Sequence, residues 1–393
     1  NAKQFYQIIS MNKPIKISAV LVDRANYGRL KPVLNIMRND SGVELNLVCT
    51  GTMLLDRFGK AVDLVKNDGF GVSEEIYIEL EGSVPSTMAK SIGLAVIELS
   101  NVFQKHSPDF VLLIGDRSEA LGVAIAAVYQ NLCLIHIQGG EVTGSIDESA
   151  RHAITKLAHY HFPSTKQAEK NIVQMGEHKE CVFSYGCPSA DVVSNSKLTP
   201  SNISLNMGVG SILDLSKDYL LVLFHPVTTE YSSSEEQMIE LLGAIKKINI
   251  QTILIWPNID AGSDGISQAI RRFREDNKHV KLRAYKNFEP EEYIPLLDNA
   301  VCAIGNSSSF IRDASFLGVP VVLVGSRQDG RECSDAVIRV KPKKEEIVKK
   351  VKVQLKHGKY KRSNLYGQEG VSIRIVKQIK NLKKYTQKRL VVR

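Results

Sequence analysis

The sequence predicts an α/β protein of two doubly wound parallel sheets that face one another across a cleft. Short apolar runs alternate with helical patterns along most of the chain, as they must where crossover helices join parallel strands. The runs fall into two sets of six, parted by a polar stretch. At 393 residues the chain is also longer than one hydrophobic core usually organises, so two domains are the default.

The first set of strand-like runs covers 15–23, 45–51, 110–116, 133–140, 159–164 and 181–186. A helix is expected over 28–38, where Leu30, Val33, Leu34 and Met37 recur at three- and four-residue spacing and make one apolar face. The stretch 194–217 is polar, carries Pro200, Asn202, Gly208 and Gly210, and reads as the linker. The second set covers 219–225, 252–257, 280–285, 300–305, 320–325 and 336–340, with a helical run over 310–317. The expected domains are 11–193, starting at Met11, and 194–374.

Composition narrows the class. Apolar residues make up 43% and charged residues 24%, the balance of a water-soluble globular protein. No apolar run approaches the roughly 18 residues of a membrane span, and 1–16 lacks a basic-then-apolar leader pattern. Six cysteines (Cys49, Cys133, Cys181, Cys187, Cys302, Cys333) are scattered without metal-type spacing, which points to reduced thiols and a cytoplasmic protein. The net charge of +9 is uneven: 341–393 hold eighteen Lys and Arg against three Glu, a net +15, so the other 340 residues carry −6. A basic end can bind nucleic acid or an anionic membrane. Here Ile375, Ile379 and Leu382 form a packing stripe with lysines opposite, and no aromatics interleave for base stacking. A solvated helix is the expectation, with neither nucleic acid nor membrane as partner.

Ligands of open parallel sheets bind beyond the carboxyl ends of the strands, and here those ends are rich in polar groups. Asp23, Arg24 and Gly28 follow the first strand, Asp116 and Arg117 the third, and Gln138-Gly139-Gly140-Glu141 the fourth. Asp147 and Glu148 open a helix that carries Arg151 and His152; an N-cap role would also explain Asp147. In the second half His225 and Asn258 follow strands. Gly305-Asn306-Ser307-Ser308-Ser309 follows a strand and opens a helix, whose free amide hydrogens suit phosphate, although serine capping accounts for the same residues. Arg312 and Arg327 are nearby cations, Arg24 is a cation across the cleft, and Asp313 suits ribose hydroxyls. His159-Tyr160-His161 puts two imidazoles on one strand face without a third ligand, the pattern of packed histidines rather than a metal site. No G-x-G-x-x-G follows the first strand, which disfavours a dinucleotide redox enzyme. No metal or cofactor is expected.

Together these residues resemble the UDP-N-acetylglucosamine 2-epimerase family, in particular its hydrolysing branch, from about Lys16 to Leu382. The most specific segments are Gly115-Asp116-Arg117, 136–147 (HIQGGEVTGSID), 151–161 (RHAITKLAHYH), His225-Pro226-Val227-Thr228-Thr229, 257–263 (PNIDAGS) and Gly305-Asn306-Ser307-Ser308. The resemblance implies two Rossmann-like domains of the glycosyltransferase-B kind, with the last helix, in 375–393, crossing back onto the first. It implies conversion of UDP-N-acetylglucosamine and water to UDP and N-acetylmannosamine, toward sialic acid, by elimination and then hydration with inversion at sugar carbon 2. Alternatives are the same reaction on a UDP-diacetamido-trideoxyhexose of the legionaminic acid route, a UDP-sugar-binding homologue impaired in catalysis, or a glycosyltransferase. A homodimer or a dimer of dimers is implied as well.

By the same resemblance Asp116 and Asp147 exchange the carbon-2 proton and activate water, and His225 contacts substrate near the diphosphate. Arg24, Gly28, Arg117, Asn258, Ser307, Ser308, Asp313 and Arg327 line the UDP pocket. Better-known members carry an essential glutamate at Gln138. Either Glu141 or Glu119 replaces it, or this subgroup takes a different sugar. Met53 stands where relatives usually have His, Asn26 where they have an acidic residue, and Gly28 where some have serine.

Overall fold

The structure, a computed structural model, describes residues 13–82, 84–195, 199, 203, 208–389 and 391. Met11 and most of the stretch 196–207 lie outside the described residues.

The first half runs β1 (Ile15–Leu21), α1 (Arg24–Arg38), β2 (Val43–Thr50), α2 (Ala61–Asn67), β3 (Val72–Ile76), α3 (Pro85–His106), β4 (Phe110–Ile114), α4 (Ser118–Tyr129), β5 (Cys133–Ile137), α5 (Ile146–Leu157), β6 (Tyr160–Phe162), α6 (Lys166–Gln174) and α7 (Ser189–Asn195). Its six strands are all parallel, in the order β3-β2-β1-β4-β5-β6. The second half runs β7 (Val209–Gly210), β8 (Tyr219–Leu223), α8 (Ser234–Ile248), β9 (Gln251–Ile255), α9 (Ser263–Asp276), β10 (Leu282–Tyr285), α10 (Pro290–Asn299), β11 (Cys302–Gly305), α11 (Ser309–Leu317), β12 (Val321–Val324), β13 (Val337–Val340), α12 (Lys344–His357) and α13 (Val371–Ile379). Its strands lie in the order β13-β12-β11-β8-β9-β10-β7, parallel except for the two-residue edge β7. The chain reverses its direction across each sheet once, between β1 and β4 and between β8 and β11. Those switch points open the crevices where ligands sit in such sheets.

The central strands β4, β5, β8 and β12 are buried along their whole length, which is why they read as unbroken apolar runs. The expected strand over 181–186 is a correction. Cys181 ends a short 3₁₀ turn, Val182 and Gly186 each make one isolated bridge, to His161 and to Gly367, and Cys187 N–H then donates to Tyr366 O. Strand β3 escaped the sequence reading because, with the sequence VSEEI at the sheet edge, it lacks an apolar run.

The last helix does return to the first half. Ile375, Val376 and Ile379 of α13 are buried in one apolar cluster with Leu30, Val33 and Leu34 of α1. Lys380 pairs with Asp40 at 2.6 Å and Lys384 with Asp109 at 2.5 Å. No described helix is long and apolar enough to cross a membrane.

Candidate functional site

Each strand end hands a polar group to the space between the sheets. Asp23 caps α1, its Oδ1 accepting the Asn26 amide at 2.6 Å, and so starts the helix that carries Arg24, Gly28 and Arg29. Beyond β5 the backbone turns sharply: Gln138 has φ 67° and Gly140 φ 80°. A side chain at Gly140 would put its Cβ 2.3 Å from the Ala168 carbonyl, so only glycine fits there. That turn aims 141–147 across the cleft. Gly144 N–H donates to Arg327 O at 3.2 Å.

A cavity of about 310 Å³ lies between the halves. Arg24, Gly28, Asp116, Arg117, His225, Asn258, Ser307, Ser308, Asp313 and Arg327 line it. Arg29, Phe58, Ser189, Lys286, Phe288 and Tyr293, which sequence reasoning did not assign, line it too. Gln138, Glu141 and Asp147 are not among the lining residues.

Asp116 is held by Arg151 of α5 and faces Arg331, whose Nη2 is 3.7 Å away. Burial alone would raise its carboxyl, but Arg151 and Arg331 outweigh burial and hold it well below the usual carboxylate range. Arg331 Nε also sits 2.9 Å from Glu141 Oε2, and Arg312 Nη2 donates to the same oxygen at 2.8 Å. Glu141 is 4% exposed. Burial pushes its carboxyl up, yet Arg312 and Arg331 bring it below its ordinary value. Glu141 Oε2 is thus committed to the two arginines, while Oε1 is buried without a hydrogen-bond partner, and the residue stands outside the cavity lining.

Asp147 stands at the N-terminus of α5, its Oδ2 3.2 Å from Arg327 Nη2. Burial lifts its carboxyl to about 6, opposed by Arg327 and reinforced by the charges of Asp116 and Asp260. His225 accepts the Asn258 amide on Nδ1 at 3.1 Å, so a neutral ring carries its hydrogen on Nε2. Burial, then Arg327, lowers its pKa to about 3 and keeps it neutral. Asp313 is likewise raised by burial to about 6, against the pull of Arg29 and Arg312, and its Oδ1 has no partner. Ser307 and Ser308 lead into α11, whose first amides include Ser309 N–H donating to Ser307 Oγ at 3.3 Å.

Two expected roles change with the geometry. Arg117 lines the cavity, but its guanidinium is spent on Asp260 across the cleft and on Glu119 at 3.0 Å, so it bridges the halves rather than offering a free charge. Gln138 is 1% exposed; Oε1 accepts from Arg29 Nη1 at 2.8 Å, and Nε2 donates to Cys187 Sγ at 2.9 Å. It orients Arg29 from behind the cavity wall. Met53 is buried in the apolar core, and Gly28 keeps α1 clear of Pro290, 3.3 Å from where a Cβ would lie. The two histidines of β6 and its approach are committed to protein partners, His161 to Glu177 at 3.2 Å and His159 to Leu134 N–H and Thr386 O.

Residues 35–380 match the family described as UDP-N-acetylglucosamine 2-epimerase. A Legionella pneumophila protein named UDP-N,N'-diacetylbacillosamine 2-epimerase (hydrolyzing) is 35% identical over 95% of this chain and 97% of its own. A Neisseria meningitidis UDP-N-acetylglucosamine 2-epimerase is 30% identical over 89% and 90%. Among solved structures, the UDP-N-acetylglucosamine 2-epimerase of Methanocaldococcus jannaschii in complex with UDP-GlcNAc and UDP superposes with a TM-score of 0.76 at 19% identity, over 93% of this chain and 100% of that one. It shares the fold.

Proposed function

The chain belongs to the UDP-N-acetylglucosamine 2-epimerase family, and on that premise we propose that it hydrolyses a UDP-linked 2-acetamido sugar with inversion at carbon 2. The observation that carries this reading is the sharing of one cavity by Asp116, Ser307, Ser308 and Arg327, with Asp147 bonded to Arg327. Cations and a helix N-terminus thus stand beside carboxylates, as a reaction needs when it expels a diphosphate while moving a proton at the neighbouring carbon.

In this reading the α11 N-terminus, Arg24 and Arg327 take the diphosphate and stabilise the charge that builds on it as it leaves. One carboxylate removes the carbon-2 hydrogen as a proton. The electron pair of that C–H bond forms the carbon 1–carbon 2 double bond, and the bond from carbon 1 to the UDP oxygen breaks. Water then adds to carbon 1, and a proton returns to carbon 2 on the opposite face. Asp116 is ionised and lines the cavity, which gives it the accepting role, although the arginines that hold it ionised also weaken it as a base. Asp147, buried with its carboxyl near 6, suits proton return. His225, held neutral, donates a hydrogen bond without adding charge. Arg29, oriented by Gln138 and facing Asp313, adds a cation to the cavity wall.

UDP-N-acetylglucosamine and UDP-N,N'-diacetylbacillosamine are the two donors to compare. The second is favoured by the 35% identical relative of that name. Incubation of each donor in deuterium oxide, followed by NMR, tests the proposal. The expected result is UDP release with deuterium at carbon 2 of an inverted free sugar, faster for the diacetamido donor. No release from either donor overturns the reading.

A further inference from the structure

Two features of the sequence have no part in that chemistry: the His159-Tyr160-His161 alternation and the basic end of the chain. In the structure they meet. Residues 383–388 run as a strap beside β6. Tyr160 Oη donates to Lys383 O at 2.7 Å, and Tyr385 Oη donates to His159 O at 3.0 Å. The rings of His159 and Tyr385 pack edge-on with centroids 4.9 Å apart. The strap delivers Lys388, whose side chain is 19% exposed. Its ammonium donates to the carbonyls of Thr155 at 3.1 Å and Lys156 at 2.8 Å, and pairs with Glu177 at 2.5 Å. Glu177 is 2% exposed and is anchored in turn by His161 and by Lys156.

Thr155 and Lys156 lie in the last turn of α5, where carbonyls lack partners inside the helix and the helix end is partially negative. The helix's own basic residue there, Lys156, points instead to Met175 O and Glu177. An ammonium from the far end of the chain supplies the missing cation. The other end of α5 bears Asp147, and one turn later Arg151 holds Asp116. We propose that Lys388 is a positioning residue: it locks α5 at its C-terminus and thereby sets where Asp147 and Arg151 stand in the cleft. The catalytic consequence rests on the function proposed above; the mechanical claim does not.

The test compares the full chain with Lys388→Met, which keeps the aliphatic stem and removes the charge, and with Lys388→Arg. Hydrogen exchange of α5 amides should quicken about tenfold or more in Lys388→Met, with α9 unchanged. Turnover should fall about tenfold while KM and UDP affinity stay within about twofold, since a small misplacement costs rate before binding. Lys388→Arg should restore both. Unchanged α5 exchange in folded Lys388→Met overturns the proposal, and so does loss of UDP affinity in step with turnover, which would mark a general loosening. If the unaltered protein turns over neither donor, the proposed reaction fails, and α5 exchange still decides the role of Lys388.

Discussion

Arg331 reaches from the turn after β12 to place its Nε 2.9 Å from Glu141 Oε2 on the opposite side of the cleft. The pair is buried, and Arg312 completes it. Removing the carboxylate would leave Arg151, Arg312 and Arg331 gathered round Asp116 alone. Breaking a buried pair from one side costs about 3 kcal/mol or more, because the remaining charge stays buried. Glu141→Gln should therefore lower the melting temperature markedly. A melting curve that overlays the parent would show that the cluster does not hold the halves together.

Asp116→Asn removes the ionised carboxylate and keeps its shape. Turnover should fall by about 10² to 10⁴, the usual worth of a positioned acid or base. UDP affinity by calorimetry should change only a few-fold, since the helix N-terminus and Arg327 are untouched. A variant that keeps more than half of its turnover would remove Asp116 from the chemistry.

The pH dependence of stability should report Asp147. Burial raises its carboxyl from the ordinary 3.8 to about 6 in the folded protein. A group raised in this way contributes stability that is full below the unfolded value and is lost as pH rises through the folded one. The melting temperature of the parent should thus fall relative to Asp147→Asn as pH goes from about 4 to about 7. Asp313, also near 6, is present in both proteins and cancels. Parallel curves across that window would contradict the assignment.

Gly144 passes so close to the second half that a Cβ there would lie 2.1 Å from the Ser326 carbonyl oxygen. Backbone does not yield cheaply, so Gly144→Ala should force the two loops apart and separate Asp147 from Arg327. Catalytic efficiency should drop about tenfold or more, as expected of a shift near 1 Å at the reacting groups, and the melting temperature should fall as well. An alanine variant of parental efficiency would mean that this approach is not needed for turnover.

The fold was legible wherever burial is complete. Strands such as β4 and β8 are covered on both faces, so their apolar runs stand out, and the polar residues that follow them mark the cleft. Residues 181–186 misled because alternating aromatics there serve to pack Phe162, Phe183 and Tyr185 together, and the segment meets β6 at a single bridge instead of a ladder. The cavity-lining cations were only partly legible. Arg24, Arg312 and Arg327 stand near strand ends and are read as cations, whereas Arg331, 190 residues from Glu141 and outside the cavity lining, gains its meaning only from that pairing. Gln138 and Glu141 are catalytic candidates through the family resemblance, Gln138 at the position of a glutamate and Glu141 as its substitute. Gln138, in left-handed backbone, bonds to Arg29 and Cys187 outside the cavity lining, and Glu141 is held by Arg312 and Arg331. Nothing local distinguishes Lys388 from the exposed lysines around it.

The return of α13 onto α1 also dictates a timetable. A ribosome adding roughly 5 to 20 residues per second needs about ten to forty seconds to travel from α7 to Lys388. Throughout that interval the apolar flank of α1 has been made and its cover has not. The nascent amino-terminal half must wait, sticky and incomplete, for the final residues to emerge, so shielding by a chaperone should matter more to its yield than to that of a protein whose halves close independently.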